Sequence, residues 1–292
     1  MTLMASVSGE RLPSRAVRST LISSDPRQPT LLEMKAKVQR RPRWSWEARG
    51  LAGIGSSRAA VNDGHRQRRG LRVSGPADIR DLAARVDTSA ICDAAKDTRV
   101  MSAALRCRSR NPMICAPAVT VRCRDDFFGV VQAIEHAAPG QVVVVDGGGR
   151  PTALAGELFA RTALARGLAG IIVDGGYRDL TFVASCELPI YSRHITPMAG
   201  TTARLGVVNE PVTCGGVCVC PGDIVIADRD GVVVLDPATA AACLTAAAQI
   251  KADEARAVAR LDHGGTLRDC LNVDEHAQRL ARGEPTSLQF TL

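Results

Sequence analysis

Residues 142–179 read VVVVDGGGRPTALAGELFARTALARGLAGIIVDGGYRD, and this stretch decides the fold. Four valines lead into Asp146 and the glycines Gly147, Gly148 and Gly149. A helical pattern follows. A second apolar run, residues 169–173, then leads into Asp174-Gly175-Gly176-Tyr177-Arg178-Asp179. β-Branched runs bounded by glycine are strand signals, and strand, helix, strand is a βαβ unit of a sheet covered by helices. Open α/β sheets take their ligands beyond the carboxyl ends of the strands. A site is therefore expected between residues 147–159 and residues 175–179.

Upstream, PADIRDLAARV begins with Pro76 and puts Ile79, Leu82, Ala83 and Val86 on one helical face. Asp87-Thr88-Ser89 offers caps for a short helix over 90–95. ICAPAVTVRC, 114–123, reads as a strand, and Asp125-Asp126 as the cap of a helix over 127–137. Downstream, a short helix over 180–186 leads to a strand around 190–193. Residues 212–235 read as three short strands of a β-meander, with turns at Gly215-Gly216, Pro221-Gly222-Asp223 and 228–231. Asp236-Pro237 opens a long Ala-rich helix to about Leu261, and a last short helix falls near 273–280.

Hydrophobic residues are 46% of the 292-residue chain, enough for a sizeable core, and aromatics only 3%, so that core is aliphatic. The net charge of +7 is uneven. Residues 1–70 hold fourteen Lys/Arg against five Asp/Glu, which leaves residues 71–292 near neutral. Residues 1–70 are expected to be a basic, largely disordered extension, and residues 71–292 the functional domain. The first 24 residues have the Ser/Arg-rich, acid-poor character of an organelle transit peptide; a basic arm for nucleic acid, a plain solvated tail and non-native sequence added by an upstream start codon are the other readings. No apolar run nears the roughly 18 residues of a membrane helix, so a soluble protein is expected. The expected location is the cytoplasm, and nucleic acid is not expected as a partner. The ten cysteines fall mostly within apolar patterns, which suits free thiols in a reducing compartment.

Several motifs fail on inspection. The triple glycine lacks the GxxxxGK[ST] pattern, and a dinucleotide fingerprint would need glycine at Thr152, so a generic turn is the better reading. Cys214, Cys218 and Cys220 are spaced CxxxCxC without a second pair or a nearby His, a poor pattern for structural zinc. His194 follows a strand and is a candidate base or a satisfied loop histidine. Two features are more telling. Gly156-Glu157-Leu158-Phe159 falls at a helix start, where unpaired N–H groups favour an anion, although Glu157 could simply complement the dipole. Arg178-Asp179 sets a guanidinium that can hold a carboxylate or enolate beside a hard oxygen ligand for Mg²⁺ or Mn²⁺, although a helix cap and a surface Arg would give the same pair.

With these residues in view, the chain resembles the RraA-like family. The family includes 4-hydroxy-4-methyl-2-oxoglutarate (HMG) aldolases, oxaloacetate decarboxylases and the regulator of ribonuclease activity A. The resemblance spans about 88–265 and includes DTSAICDAA, APAVTVRC, PGQVVVVDGGG, AGELFARTALARGLAGIIVDGGYRD, RHITP and VNEPVTCGGVCVCPGDIVIADRDGVVVL. The aldolase pattern is an acid, twenty residues, then Arg-Asp; here twenty residues separate Glu157 from Arg178-Asp179. The family usually has Asp at the position of Glu157. The regulator branch often lacks the acid after the Arg, and this chain keeps it as Asp179.

The resemblance implies an α/β fold of the layered β/β/α swivelling-domain type, with a central βαβ unit, a C-terminal β-meander and a long C-terminal helix. It implies a trimer or a dimer of trimers, a small 2-oxo acid substrate and a divalent metal, Mg²⁺ or Mn²⁺. It further implies that Arg178 neutralises a pyruvate enolate oxygen, Asp179 ligates the metal and Glu157 holds metal-bound water. The pyruvyl carboxylate would lie on the Leu158 and Phe159 N–H groups after Gly156, and Glu254 would reach a neighbouring subunit's site. The activity implied is a class II HMG aldolase and oxaloacetate decarboxylase, with a non-catalytic ribonuclease regulator as the alternative.

Overall fold

The structure, a computed structural model, describes residues 76–292, and the expected basic extension lies outside the described residues. Two short helices come first, α1 (Pro76–Ala83) and α2 (Thr88–Ala94). Asp87 caps the second, its Oδ1 accepting the Ala90 N–H at 2.8 Å. Strands β1 (Arg99–Val100), β2 (Arg106–Cys107) and β3 (Ile114–Arg122) precede helix α3 (Phe128–His136). The centre of the chain is β4 (Val142–Asp146), β5 (Ala153–Ala155), helix α4 (Glu157–Ala165) and β6 (Gly170–Tyr177). Then come α5 (Leu180–Val183), β7 (Ile190–Ile195), β8 (Val207–Val208), β9 (Val212–Cys214), β10 (Val217–Val219), β11 (Ile224–Ala227) and β12 (Val232–Leu235). Helices α6 (Ala240–Asp262), α7 (Leu267–Cys270) and α8 (Val273–Ala281) close the chain. No described helix is long and apolar enough to cross a membrane.

The main sheet runs β1-β12-β11-β3-β4-β6-β7-β2, with β5 beside β6 and β8 beside β3. β3 joins its two halves. Residues 114–117 pair antiparallel with β11, and Ala118–Arg122 pair parallel with β4. β4 and β6 are parallel neighbours, with Val142 opposite Gly170 and Asp146 opposite Asp174, so the βαβ unit is as expected. β4 is buried on both faces, which is why it is an unbroken β-branched run. Val143 and Val145 pack toward Val130, Ile134, Ala160 and Ala163 of α3 and α4. Val142 and Val144 pack on the opposite side with Tyr191, Val212 and Cys214. A third cluster joins α1, α2 and α6 to β11 and β12 through Ile79, Ile91, Leu244, Ile226 and Val233.

Several local expectations are revised. Gly175 and Gly176 are not a loop at the end of the strand; β6 runs through them to Tyr177. They are glycine because the backbone is crowded there. A Cβ on Gly176 would stand 2.7 Å from both Thr152 O and Thr196 Cγ2. The strand-rich segment after residue 211 is two hairpins rather than one run of three strands: β9–β10 forms its own sheet, and β11–β12 enters the main one. Asp125 and Asp126 do not cap α3 in the expected way. The N-cap is Phe127, and Asp126 reaches instead to Phe128 N and to residues 201–204. The long helix starts later than Asp236-Pro237, because Asp236 Oδ1 takes the Ala238 N–H at 2.8 Å and closes a turn first. All ten cysteines are free thiols. Cys214 is fully buried while Cys218 is exposed, so the three cysteines do not share one environment.

Two outcomes follow from the packing. Gly176→Ala should cost about 1–3 kcal/mol through overpacking against β5 and the end of β7, read as a lower urea midpoint with unchanged slope. Asp87 gives a pH test. Burial raises its carboxyl pKa, but hydrogen bonds from Lys251 Nζ and the Ala90 N–H outweigh that and hold it below the ordinary value. A depressed carboxyl stabilises above its unfolded pKa of about 4 and loses that contribution as pH falls through the folded value. Asp87→Asn should therefore be less stable than wild type at pH 7, with the gap closing below about pH 4 in urea melts.

Candidate functional site

β6 ends on Tyr177, which is fully buried and donates its hydroxyl to Gly156 O at 3.2 Å. Burial pushes this phenol well above its ordinary pKa, so it stays a hydrogen-bond donor. The Arg178 N–H donates to Ala155 O at 3.1 Å, which carries the β5–β6 pairing one residue past the strand. The chain then turns at Asp179, a left-handed residue with φ 61° and ψ 44°. Aspartate tolerates that conformation better than most side chains.

This turn sets Asp179 against the start of α4. Its Oδ2 accepts the Glu157 N–H at 2.9 Å and stands 3.6 Å from Arg178 Nε. The capping expectation for Asp179 is thus redirected. It is the N-cap residue of α5 but makes no side-chain cap bond there. Instead it caps α4, whose own N-cap, Gly156, has no side chain to do so. Gly156 must be glycine here. A Cβ would overlap Asp179 Oδ2 and stand 2.8 Å from Arg178 Cγ.

The next two N–H groups of α4, those of Leu158 and Phe159, donate to no acceptor among the described residues. Helix starts leave such donors unpaired and favour an anion beside them. The Phe159 ring packs edge-on against Phe127 with centroids 5.8 Å apart, which fixes this turn, while Leu158 is 72% exposed. Glu157 points along its own helix, and its Oε1 accepts from Arg161 Nε at 2.7 Å. The Arg161 guanidinium in turn lies 4.4 Å over the Phe182 ring. The fold thus brings Gly156, Glu157, Leu158, Phe159, Arg178 and Asp179 together at the end of β6. The side chains of Glu157, Arg178 and Asp179 are each a little over one-third exposed.

Glu254 is elsewhere. It lies on α6, where it pairs with Lys251 Nζ at 2.7 Å, and Lys251 also bridges to Asp87 at 2.8 Å. That helix packs over α1 and α2, so within one protomer Glu254 does not join the site. His194 lies inside β7 rather than after a strand, with Nε2 3.0 Å from Gly149 O. The triple glycine is a turn: Gly148 and Gly149 have positive φ, and their N–H groups bond Asp146 Oδ1 and Asp174 O.

Two buried acids escaped the sequence reading. Asp146 and Asp174 end the apolar runs of β4 and β6 and stand opposite each other in register. Asp174 holds Arg193 Nε at 2.6 Å and the Gly215 N–H at 2.8 Å, tying β7 and the β9–β10 hairpin to the sheet end. The signal was available, because both apolar runs end in the same Asp-Gly-Gly.

Among the described residues no group of three or more His, Cys, Asp or Glu side chains is arranged to hold a metal ion. A hard divalent ion does not require one, since Mg²⁺ commonly takes one or two carboxylates and keeps several waters. Asp179 suits that chemistry. Its Oδ1 takes no hydrogen bond within the described residues, and its side chain is 40% exposed.

The chain can be set beside known proteins. The RraA-like family model, described as Aldolase/RraA, matches residues 88–234. A Halalkalibacterium halodurans protein, named provisionally as a 4-hydroxy-4-methyl-2-oxoglutarate aldolase, is 33% identical over 194 residues, covering 65% of this chain and 92% of its own. An Ectopseudomonas mendocina protein with the same provisional name is 38% identical over 117 residues, 40% of this chain and 72% of its own. Among solved structures, an uncharacterized Pseudomonas syringae protein has a TM-score of 0.58 at 25% identity, covering 66% of this chain and 96% of that one. RraAS2 of Streptomyces coelicolor, described as an unusual member of the RNase ES inhibitor RraA protein family, has a TM-score of 0.56 at 27% identity, with coverages of 62% and 96%. The sequence resemblance, the layered α/β fold and these matches agree, and the chain belongs to the RraA-like family.

Proposed function

We propose that the chain is a class II, divalent-metal-dependent lyase that releases pyruvate from HMG-like 4-hydroxy-2-oxo acids and decarboxylates oxaloacetate. The observation that carries this reading is the pair of unpartnered N–H groups on Leu158 and Phe159, set beside Arg178 and Asp179. A 2-oxo acid needs both a carboxylate site and a cationic group at its 2-oxo oxygen. The start of α4 supplies the first and the Arg178 guanidinium the second.

In cleavage, the bond between C3 and C4 breaks and its electron pair moves into an enolate on C2–C3. From HMG the C4 fragment leaves as a second pyruvate once its 4-hydroxyl proton is lost; from oxaloacetate it leaves as CO₂. Protonation at C3 then gives pyruvate. Arg178 stabilises the oxyanion that develops on C2, and such preorganised charge is commonly the largest part of catalysis. Glu157, paired with Arg161, would take the hydroxyl proton through a water. Asp179 would hold a Mg²⁺ or Mn²⁺ ion, which when bound supplies Lewis acidity toward the 2-oxo oxygen. A Schiff base is not supported, since Lys96 and Lys251 are the lysines beyond residue 75 and both are ion-paired away from this site. In this reading the protein is a homotrimer or a dimer of trimers, and Glu254 acts only across a subunit boundary.

A second reading, a ribonuclease regulator that works by protein contact, draws on the likeness to RraAS2. The retained Arg178-Asp179 pair favours the enzyme.

Pyruvate release should be measured from oxaloacetate and HMG with Mg²⁺ or Mn²⁺, with and without chelator. Release that stops with chelator is expected; its absence in folded protein would leave the regulator reading, which co-purification with a ribonuclease would support. Arg178→Ala should lower kcat by roughly 10²–10³-fold, the usual scale for removing an oxyanion partner. Asp179→Asn should keep the left-handed turn and the cap to Glu157, leaving stability within about 1 kcal/mol while metal-dependent turnover is lost. Full metal-dependent activity in that variant would remove Asp179 as the ligand.

A further inference from the structure

A second cluster of charge lies where β3 and β4 end. A cavity of about 490 Å³ opens there, walled by Arg122, Arg124, Asp146, Arg204 and, from the β9–β10 side, Val212 and Cys218. Glu157, Arg178 and Asp179 do not line it. Its volume is in the range of small-molecule sites.

The three guanidiniums are under-used. Arg122 donates once, to Pro211 O at 3.2 Å, and its Nε is 3.8 Å from Asp146 Oδ2. Arg124 reaches the same oxygen only at 3.8 Å, and its side chain is 57% exposed. The Arg204 side chain makes no hydrogen bond or close ion pair among the described residues, although its charge helps lower the Asp125 carboxyl pKa. Each guanidinium has five N–H donors, so most are open to a ligand.

The arrangement is also held in place. Asp146 is buried and stands between Arg122 of β3 and Asp174 of β6 in the sheet register. Asp174 is already matched by Arg193, which leaves Asp146 facing two guanidiniums alone. Arg204 sits on a loop that Asp126 anchors. Asp126 Oδ2 takes the Thr201 hydroxyl at 2.8 Å and the N–H groups of Ala203 and Arg204 at 2.6 and 3.0 Å. Asp126 also lines the cavity, but its Oδ1 takes the Phe128 N–H, so both oxygens are engaged. The walls therefore keep a net positive charge with free, fork-shaped donors, and Leu205, Pro211 and Val212 add apolar surface.

We propose that this cavity binds a small organic oxyanion, a phosphate ester or a dicarboxylate, at a site separate from Arg178-Asp179. Guanidiniums bind both head groups in bidentate fashion, and the apolar wall would take a short carbon skeleton. The proposal does not depend on lyase activity, because its readout is binding.

The test is calorimetric titration of the full chain, without added metal, using inorganic phosphate and, separately, succinate. Saturable binding of at least one probe is expected, and the tighter arm identifies the head group. The Arg124→Gln/Arg204→Gln double variant replaces two exposed side chains, and an unchanged circular dichroism spectrum would confirm its fold. Binding in it should be about 100-fold weaker, roughly tenfold for each charge-assisted contact removed. Arg178→Ala should keep the binding that the double variant loses. The proposal fails if neither probe gives a saturable signal at tens of millimolar. It fails equally if binding survives in the double variant or vanishes in Arg178→Ala.

Discussion

The site rests on one close approach. The end of β6 meets the start of α4 through the hydrogen bond from the Glu157 N–H to Asp179 Oδ2, 2.9 Å long, and only the missing side chain of Gly156 allows it. A carboxylate at that position satisfies one donor and complements the positive end of the helix. It leaves the next two donors unpaired and brings Arg178 alongside them. Tyr177 secures the junction from beneath, through its buried hydroxyl on Gly156 O.

Topology explains why the two ends meet at all. β4 and β6 run parallel in adjacent positions, so both leave the sheet at the same edge. The segment after β4 pairs briefly with β6 as β5 and then starts α4 at that edge. The twenty residues from Glu157 to Arg178-Asp179 are therefore one helix, its return and one strand. The same edge carries the β3 and β4 ends with their guanidiniums, bridged to the first site by the glycine turn. Both charged clusters thus lie at one end of a sheet whose packed interior is largely Val, Ile, Leu and Ala.

Much of this was legible in the chain. β4 announced itself because a strand buried on both faces must be apolar throughout. Asp87 announced the second helix because caps are local chemistry. The spacing of Glu157 and Arg178-Asp179 carried the family resemblance. Other features depend on partners distant in sequence and were not readable. Gly175 and Gly176 look like punctuation, yet they are strand residues, the first crowded by Leu154 and the second by Thr152 and Thr196. β5 has three residues and exists because β6 offers it an edge. Asp126 looks like a helix cap, and its oxygens are claimed largely by a loop more than seventy residues away. Asp236 looks like a helix start and instead closes a turn on its own neighbour. Glu254 fits a contributing role only across a subunit boundary, which no feature of a single chain can reveal.

The central claim is that the junction of α4 and β6 stabilises the enolate of pyruvate. The most direct measurement is exchange of the pyruvate methyl protons with deuterium, followed by NMR in D₂O with Mg²⁺ or Mn²⁺, because it needs enolate formation and no bond cleavage. Wild-type protein should catalyse the exchange, and chelator or Arg178→Ala should reduce it to the solvent rate. Exchange no faster than solvent in folded, metal-supplied wild-type protein, or equal in Arg178→Ala, would contradict the account.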